Sequence, residues 1–288
     1  MMKEIGHTIS IIRQNKGYSQ GYVSDGSLTQ GAYSKFENLS TGIRINTFRD
    51  LLAKLEISLE EFEFIHNGYE YNVRDQLINR LFDMSYNNKQ NLDQLLAELT
   101  EYLKVHDDIL LENISKICKS LILLSETGKI QQARIPLQVV WESLSKRNHF
   151  YIIDIYFINS ILFLFPLETA LEIKDFAFRS IDRYRDFKNI ERIKINISVN
   201  IMLLLMKEKK FTEALNETTQ IIKLSKKHRD YLRLAICYVR RGICLNTIDM
   251  SGEVWISKGK NMLLALEEYK MIEIMEEEIK SYEETIVW

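Results

Sequence analysis

A chain of 288 residues with 46% hydrophobic composition can bury the core of two domains or of one repeat array. Its formal net charge of −2 excludes a polycationic protein, so any affinity for nucleic acid must depend on where the basic residues lie. Only two prolines and eleven glycines in this length favour long uninterrupted helices.

Apolar residues at helical spacing begin close to the N-terminus. Ile5, Ile9 and Ile12 form a stripe that predicts a first helix, and Ser19-Gln20 predicts the start of a second helix after a turn. Two glycines are expected to weaken that second helix, Gly21 and Gly26.

The stretch from Leu28 to Asn38, LTQGAYSKFEN, predicts a helix with two different sides. Thr29 fits an N-cap, and Tyr33 and Phe36 fall three residues apart on one side. The other side carries polar residues and suits the groove of a nucleic-acid duplex. Downstream, an apolar stripe from Phe48 to Leu55 and a capping box at Ser58-x-x-Glu61 predict two more helices. Five short helices in about sixty-five residues are the layout of a helix-turn-helix domain.

The basic residues favour this region only weakly. From Met1 to Leu55 there are seven basic and four acidic residues, a formal charge of +3, and four glutamates from Glu56 to Glu63 then reverse the sign. A domain of this charge can bind DNA but is expected to need two copies to bind well.

After a turn signal at Asn67-Gly68, the rest of the chain is nearly all helical by pattern. We predict a DNA-binding domain over residues 1–66, a hinge over residues 67–73 and a helical repeat domain over residues 74–288. Within the repeat domain, one long helix is predicted over Ile130–Arg147. An acidic last helix, which ends in Ile286-Val287-Trp288, is typical of the cap of a solenoid and could also pack on a partner subunit.

Sliding the sequence along itself aligns three sets of residues at offsets of 37 and then 44 residues, close to the length of a tetratricopeptide repeat. The sets are Ala133, Ala170 and Ala214; Val140, Ala177 and Ile221; and Phe150, Phe187 and Tyr231. The fold class predicted for the whole chain is therefore all-α, a helix-turn-helix domain followed by an α-solenoid. An unrelated helical bundle is the alternative for the second part.

Residues 1 to 66 resemble the N-terminal helix-turn-helix domain of the Rgg/GadR/MutR transcriptional regulators, within the phage-repressor-like class. The matching features are the opening KEIGHTISIIRQNKGYS, the core LTQGAYSKFEN, Ile43 before an N-cap at Asn46, and the closing ISLEEF. The resemblance extends more weakly over residues 67–288, because such regulators carry a tetratricopeptide-like C-terminal domain. It implies that this domain binds a short peptide pheromone on its concave surface and forms a homodimer.

The helix-turn-helix layout places polar side chains of the third helix at base edges and phosphates of double-stranded DNA. A glutamine there can read adenine through two hydrogen bonds, and a lysine can contact guanine or a phosphate. Residues flanking that helix are expected to anchor the DNA backbone. The predicted DNA-binding residues are Arg13, Gln20, Thr29, Gln30, Ser34, Lys35 and Arg44.

Asparagines inside apolar helices are the unusual feature of the second part. An asparagine offers both a donor and an acceptor, so it can pair with the backbone of an extended peptide. Aromatic and basic residues near them could supply apolar pockets and a cation for a peptide carboxylate. The predicted peptide-binding residues are Tyr156, Asn159, Phe163, Arg192, Asn196, Asn200, Tyr238 and Arg241. The alternative is that the asparagines tie helices to one another.

No motif for catalysis is present, since the chain lacks G-x-S-x-G, H-E-x-x-H, a P-loop and a Rossmann glycine pattern. The five histidines are scattered without metal-ligand spacing, and the three cysteines are an odd number that argues against a disulfide framework. Cys237 and Cys244 are expected to pack as small apolar side chains. We therefore predict neither an enzyme nor a cofactor or metal site.

The predicted function is a cytoplasmic, homodimeric transcription regulator that binds double-stranded DNA and a short peptide and makes no membrane contact. The first twelve residues lack the apolar core of a secretory leader, and the most lipophilic run, Ile152 to Leu167, is shorter than the about twenty residues of a membrane span. One alternative is a scaffold that binds a partner protein through its repeats and no DNA. Another is a repeat domain that senses a small molecule or nothing.

Overall fold

The computed structural model describes residues 4–39, 41–84, 88–187 and 190–286. Within these ranges the regular structure is α-helix with short 3₁₀ turns, and no strand is formed. The predicted all-α fold class is therefore confirmed. The chain divides into two compact units, Met1–Met84 and Ser85–Trp288, which are called unit 1 and unit 2.

The described residues of unit 1 form six helices, of which the second and third form the predicted helix-turn-helix. Their bounds are α1 (Ile5–Asn15), α2 (Gln20–Ser24), α3 (Gln30–Leu39), α4 (Ile45–Lys54), α5 (Leu59–His66) and α6 (Val73–Phe82). The contacts place α6 in unit 1, so the division between the units follows α6 and lies later than residue 73. The hinge over residues 67–73 stays a prediction.

The core of unit 1 is built from the predicted apolar stripes. Ile9 of α1, Tyr33 of α3 and Leu51 of α4 are completely buried, and the Phe48 ring meets the Phe62 ring edge-on with centroids 4.9 Å apart. Burying side chains of this size stabilises a fold by about 1.5–3 kcal/mol each. The stripes therefore fix which side of α3 faces inward.

The ends of these helices largely match the sequence signals. Backbone amides are capped by three side-chain hydroxyl groups: Ser19 accepts from Tyr22 N at 3.1 Å, Thr29 from Ala32 N at 3.2 Å and Ser58 from Glu61 N at 3.0 Å. These three caps are confirmed.

Two details of unit 1 were predicted wrongly. The N-cap predicted at Asn46 is wrong, because α4 begins at Ile45 with Arg44 as its N-cap. Gly26 does not weaken α2, because it lies beyond the end of that helix with φ of +76°, in the left-handed region that favours glycine.

Unit 2 forms eleven helices over residues 88–187 and 190–286. Their bounds are α7 (Lys89–Leu103), α8 (Ile109–Thr127), α9 (Ile130–Arg134), α10 (Gln138–Leu144), α11 (Ile152–Ile161), α12 (Leu167–Ile181), α13 (Ile190–Lys207), α14 (Phe211–His228), α15 (Tyr231–Thr247), α16 (Glu253–Ala265) and α17 (Tyr269–Ile286). The single helix predicted over Ile130–Arg147 is wrong. A 3₁₀ turn over Ile135–Leu137 separates α9 from α10, because Pro136 lacks the N–H that a continuous helix needs.

From α11 onward the helices of unit 2 form two layers. Helices α11, α13, α15 and α17 contact one another in that order, and α12, α14 and α16 pack against them. Because contacts within the first set are closer than those within the second, the stack is expected to curve with the first set inside. Helices α11, α13, α15 and α17 are called the inner layer.

The burial expected from the repeat alignment is found in two of its three sets. The alanines Ala133, Ala170 and Ala214 are completely buried, as helices in close approach require, and the set that begins with Val140 is also buried. In the third set Phe150 is buried, but Phe187 and Tyr231 are exposed. The periodicity therefore marks packing inside each helix pair and fails at the connecting turns.

Helix α15 is the most enclosed element of unit 2. It approaches α16 so closely that a Cβ atom added at Gly242 would lie 2.6 Å from the carbonyl oxygen of Gly252. Cys118 on α8 and both cysteines of α15 are buried free thiols, and burial raises the pKa of Cys237 and of Cys244 to about 12. The prediction that these two cysteines pack as small apolar side chains is confirmed.

Across the described ranges, no helix combines the length and the apolar character needed to span a bilayer. The C-terminal residues Val287 and Trp288, predicted to contact a partner subunit, lie outside the described residues.

Candidate DNA-binding and ligand-binding surfaces

Helix α3 is divided sharply into a buried and an exposed side. Tyr33, Phe36 and Glu37 point into unit 1, whereas Gln30 and Lys35 are exposed. At about 100° per residue, the middle of the exposed side is formed by Gly31, Lys35 and Asn38. We call this side of the helix the α3 face; it consists of the exposed Gln30, Gly31, Lys35 and Asn38 and the half-buried Ser34.

The predicted base-reading side chains on the α3 face are open to solvent. In the part of the chain that the structure describes, Gln30 and Lys35 make no side-chain hydrogen bond or ion pair. Ser34 is half-buried and accepts a hydrogen bond from Asn38 Nδ2 at 3.3 Å. The structure therefore brings Gln30, Ser34 and Lys35 together on one surface and adds Asn38, which the sequence analysis missed.

A buried polar network holds α3 against α1 and α2. The Glu37 carboxylate accepts from Arg13 Nε at 2.7 Å, Arg13 Nη2 at 2.9 Å, Gln20 Nε2 at 2.8 Å and Ser10 Oγ at 3.2 Å. Arg13 Nη1 also donates to the carbonyl oxygen of Tyr18 at 2.8 Å. Arg13 is 9% and Glu37 is 5% exposed, so this is a two-pronged ion pair inside the fold. We call it the Glu37 network.

Electrostatics in the Glu37 network favour the charged forms. Burial on its own would raise the pKa of Glu37, but the hydrogen bonds from Arg13 and Gln20 outweigh it and hold that pKa below its ordinary value. The hydrogen bonds to Glu37 correspondingly raise the pKa of Arg13. The pair is therefore ionised at neutral pH and fixes the direction in which α3 points.

Two predicted DNA-backbone anchors belong to this network. Arg13 is buried with all its contacts inside unit 1, so its assignment as a phosphate anchor is corrected to a structural role. Gln20 is half-buried and donates to Glu37, so its amide nitrogen is also engaged. By contrast, Arg44 is exposed and makes no side-chain capping bond, and Thr29 is exposed and serves as the N-cap of α3.

The asparagines of unit 2 lie on the inner layer and connect its helices. Asn200 Nδ2 of α13 donates to the carbonyl oxygen of Asn159 of α11 at 3.0 Å, and Asn196 Oδ1 accepts from Arg233 Nε of α15 at 3.0 Å. All four residues are half-buried. Of the two roles that the sequence allows the asparagines, binding a ligand or tying helices together, these bonds show the second, while the residues stay partly exposed.

Helix α13 carries a polar stripe. Arg192, Asn196 and Asn200 follow one another at intervals of four residues, which places them on one side of the helix. Arg192 is exposed, with its Nε 3.7 Å from Asp230 Oδ2. Together with Asn159 and Arg233 they form a polar row across α11, α13 and α15, which we call the inner-layer stripe.

A cavity of about 470 Å³ lies at one end of the inner-layer stripe. Arg192, Asp230 and His228 line it, together with residues from the end of the α12 region and the start of α13. Asp230 is buried, and its Oδ2 atom has no hydrogen-bond donor within the described structure. The sequence pattern did not single out Asp230 or Arg233, because charged residues are common near helix ends.

The remaining predicted peptide-binding residues fall into two groups. Tyr156 is half-buried and shares the side of α11 that carries Asn159, whereas Phe163, also half-buried, lies in the 3₁₀ turn over Leu162–Leu164 that follows α11. Tyr238 is only 2% exposed and its ring packs on Trp255 of α16, with centroids 5.4 Å apart.

Arg241 also engages the outer helices. Its Nη1 donates to the Thr218 hydroxyl of α14 at 3.0 Å, and its guanidinium lies 4.7 Å from the centre of the Trp255 ring. The structure therefore does not bring Tyr238 and Arg241 together with the inner-layer stripe, and the prediction of one shared surface is corrected. In the described ranges no cluster of three or more His, Cys, Asp or Glu side chains is arranged to hold a metal ion.

Neither a family model nor a curated protein matches the sequence, but solved structures match the fold. A protein described as a transcriptional regulator from Listeria monocytogenes EGD-e has a TM-score of 0.78 at 16% identity, covering 99% of both chains. The SHP pheromone receptor Rgg2 from Streptococcus dysgalactiae has a TM-score of 0.69 at 16% identity, covering 96% of this chain and 99% of its own.

Bacillus thuringiensis PlcR, solved in complex with the peptide PapR7 and DNA, has a TM-score of 0.65 at 15% identity over 99% of both chains. At these identities the likeness establishes the fold. The chain therefore has the architecture of a helix-turn-helix domain followed by tetratricopeptide-like repeats, and the resemblance drawn from its sequence is confirmed at that level.

Proposed function

We propose that this chain is a homodimeric transcription regulator that binds double-stranded DNA through unit 1 and a short signalling peptide through unit 2. The observation that carries the proposal is the α3 face, where Gln30 and Lys35 are exposed and, among the described residues, unpaired, on a helix that the Glu37 network holds against α1 and α2. The fold shared with PlcR, whose solved structure holds both a peptide and DNA, supports the same assignment.

On this proposal, α3 enters the major groove. Gln30 and Lys35 reach base edges or phosphates, because their side chains are exposed and have no partner among the described residues. Arg44 contacts the DNA backbone, and Thr29 positions the first turn of α3. With a formal charge of only +3 over residues 1–55, unit 1 needs a second copy to bind tightly, so a two-fold dimer reads two half-sites.

The DNA assignment is tested by selecting duplexes from a random pool with the full-length protein. We expect one enriched sequence, bound at least 100-fold more tightly than bulk DNA, with an affinity that falls steeply between 50 and 200 mM salt, as roughly expected for several phosphate contacts. Enrichment of no sequence would contradict the proposal and favour a scaffold that binds a partner protein.

The peptide assignment is supported by the inner-layer stripe. Amides of Asn159, Asn196 and Asn200 stand half-exposed on neighbouring helices, and each can offer a donor or an acceptor to an extended peptide backbone. Arg192 supplies a cation at the cavity end, and Tyr156 and Phe163 supply apolar contacts. We leave Tyr238 and Arg241 out of this site.

Thermal unfolding with short hydrophobic peptides encoded beside the gene tests this part. A peptide that binds only the folded protein raises the melting temperature, and at about 100 times its Kd it adds about 2.7 kcal/mol of stability. We expect an Asn196→Ala/Asn200→Ala variant to lose that increase. No response to any peptide from the wild type would contradict the peptide assignment without touching the DNA assignment.

The peptide can regulate DNA binding if it binds two arrangements of the protein with different affinity. A ligand that binds both arrangements equally well does not shift the equilibrium between them. The proposal assigns the chain no catalytic step and no cofactor, and places it in the cytoplasm, where DNA and an imported peptide meet.

A further inference from the structure

Gly31 occupies the middle of the α3 face and has no structural reason to be glycine. It lies two residues before the buried Tyr33, hence about 200° around the helix and away from the core. Its φ angle is not in the left-handed region, and a Cβ atom added there would meet no other atom within 4 Å.

The other glycines within the longer helices do have such a reason. At Gly6, an added Cβ would lie 2.0 Å from the carbonyl oxygen of Phe36. At Gly242 it would lie 2.6 Å from the carbonyl oxygen of Gly252, and at Gly259 it would lie 2.6 Å from the carbonyl oxygen of Ala235. Each of these glycines lets two helices touch. Gly21 is also open, but it lies in the five-residue helix α2.

Gly31 is the second residue of α3, and in this first turn glycine is still less favourable than alanine, which restricts the unfolded chain more and forms helix better. Gly31 therefore weakens α3 without a gain inside the molecule. A group from outside that comes close to the α3 backbone would supply the missing reason.

We propose that Gly31 is a specificity-determining position, at which the edge of a base pair in the major groove approaches the backbone of α3. This inference rests on the proposed DNA-binding function. A helix with its side chains is about 10–12 Å wide and the major groove of B-form DNA is about 12 Å wide, so little space is left between them. Without a side chain at Gly31, α3 enters deeper and Gln30 and Lys35 reach the bases.

The test substitutes Gly31 in the full-length protein and measures two quantities. The first is the melting temperature. The second is the specificity ratio, defined as the affinity for the duplex selected by the wild type divided by the affinity for a scrambled duplex of the same composition. Alanine and leucine both form helix better than glycine, so Gly31→Ala and Gly31→Leu should raise the melting temperature.

We expect the specificity ratio to fall about 10-fold in Gly31→Ala and about 100-fold in Gly31→Leu, since each added group occupies the space of the base edge. Binding to the scrambled duplex should change less than threefold, because phosphate contacts do not need α3 to enter as deeply. Higher stability with lower specificity separates this role from a loss of folding.

Ala32 offers a matched control. It is exposed in the same turn of α3 but lies on the flank, about 100° from Gly31. Ala32→Leu should change the specificity ratio less than threefold, and an equal loss in Ala32→Leu and Gly31→Leu would overturn the inference. An unchanged ratio in Gly31→Leu would overturn it too. If the wild type enriches no duplex, this inference and the proposed DNA function fail together.

Discussion

The α3 face and the inner-layer stripe use polar side chains in opposite ways. In unit 1 the roles are separated, since Arg13, Gln20 and Glu37 hold the fold, while Gln30 and Lys35 are exposed and have no partner among the described residues. In unit 2 the same asparagines that are candidates for ligand binding also join the helices to one another. Substitutions on the α3 face can therefore change binding specificity without changing the stability of the protein. Substitutions in the inner-layer stripe change both.

The largest effect on stability is expected when the buried Glu37 network is broken. Glu37→Gln removes the charge that compensates Arg13 and leaves a buried guanidinium with a weakened partner. Removing one member of a buried ion pair costs about 3–5 kcal/mol, so the urea midpoint of unit 1 should fall sharply and specific DNA binding should be lost. Glu63→Gln, an exposed carboxylate in the same unit, should change stability by less than about 0.5 kcal/mol.

Acid should act on the same network. The pKa of Glu37 is lower in the folded protein than in the unfolded chain, so its stabilisation is fully present above the unfolded pKa and is lost as pH falls through the folded pKa. The free energy of unfolding should therefore decline below the ordinary glutamate pKa of about 4.3, and less so in Glu37→Gln. Equal acid sensitivity in both proteins would argue against the network as drawn.

The next effect concerns glycines with opposite functions in the two units. Gly242→Ala places a methyl group 2.5 Å from the Ile256 side chain and 2.6 Å from a backbone oxygen that cannot move cheaply. We expect unit 2 to lose about 1–3 kcal/mol, measured by thermal unfolding, as overpacked cores do. Gly31→Ala should move the melting temperature in the other direction. Destabilisation by both changes would remove the distinction between a packed and an open glycine.

A smaller effect is expected in the inner-layer stripe. Asn200→Ala deletes the hydrogen bond to the Asn159 carbonyl oxygen and should cost about 1 kcal/mol of stability as well as peptide affinity. Asn216→Ala, at an exposed position of α14 in the outer layer, should leave both unchanged. If Asn200→Ala lowered peptide affinity alone, the stripe would resemble the α3 face and the comparison between the two units would be wrong.

The elements of unit 1 could be predicted from the sequence because amphipathic spacing is local. Tyr33 and Phe36 marked the inner side of α3, and the hydroxyl caps at Ser19, Thr29 and Ser58 marked helix starts. The position of Asn46 was misjudged because helix ends are the least certain part of such a pattern.

The Glu37 network could not be predicted, because it depends on tertiary contacts. An arginine is normally exposed, and only its pairing with a glutamate 24 residues away explains why Arg13 is buried. The same limit applies to unit 2, where Tyr238 and Arg241 carry suitable chemistry for a peptide but pack on Trp255 and α14. Residue type predicted what these side chains could bind, and packing decided what they do bind.

The central claim is that the exposed side of α3 reads DNA sequence, and a direct measurement is the specificity ratio of a Gln30→Ala/Lys35→Ala variant beside the wild type. Both side chains are exposed and unpaired within the described residues, so the melting temperature should stay within a degree or two. We expect the ratio to fall at least 100-fold, as roughly expected from the loss of two base contacts. A variant that keeps the wild-type ratio would contradict it, because the preference would then come from another surface.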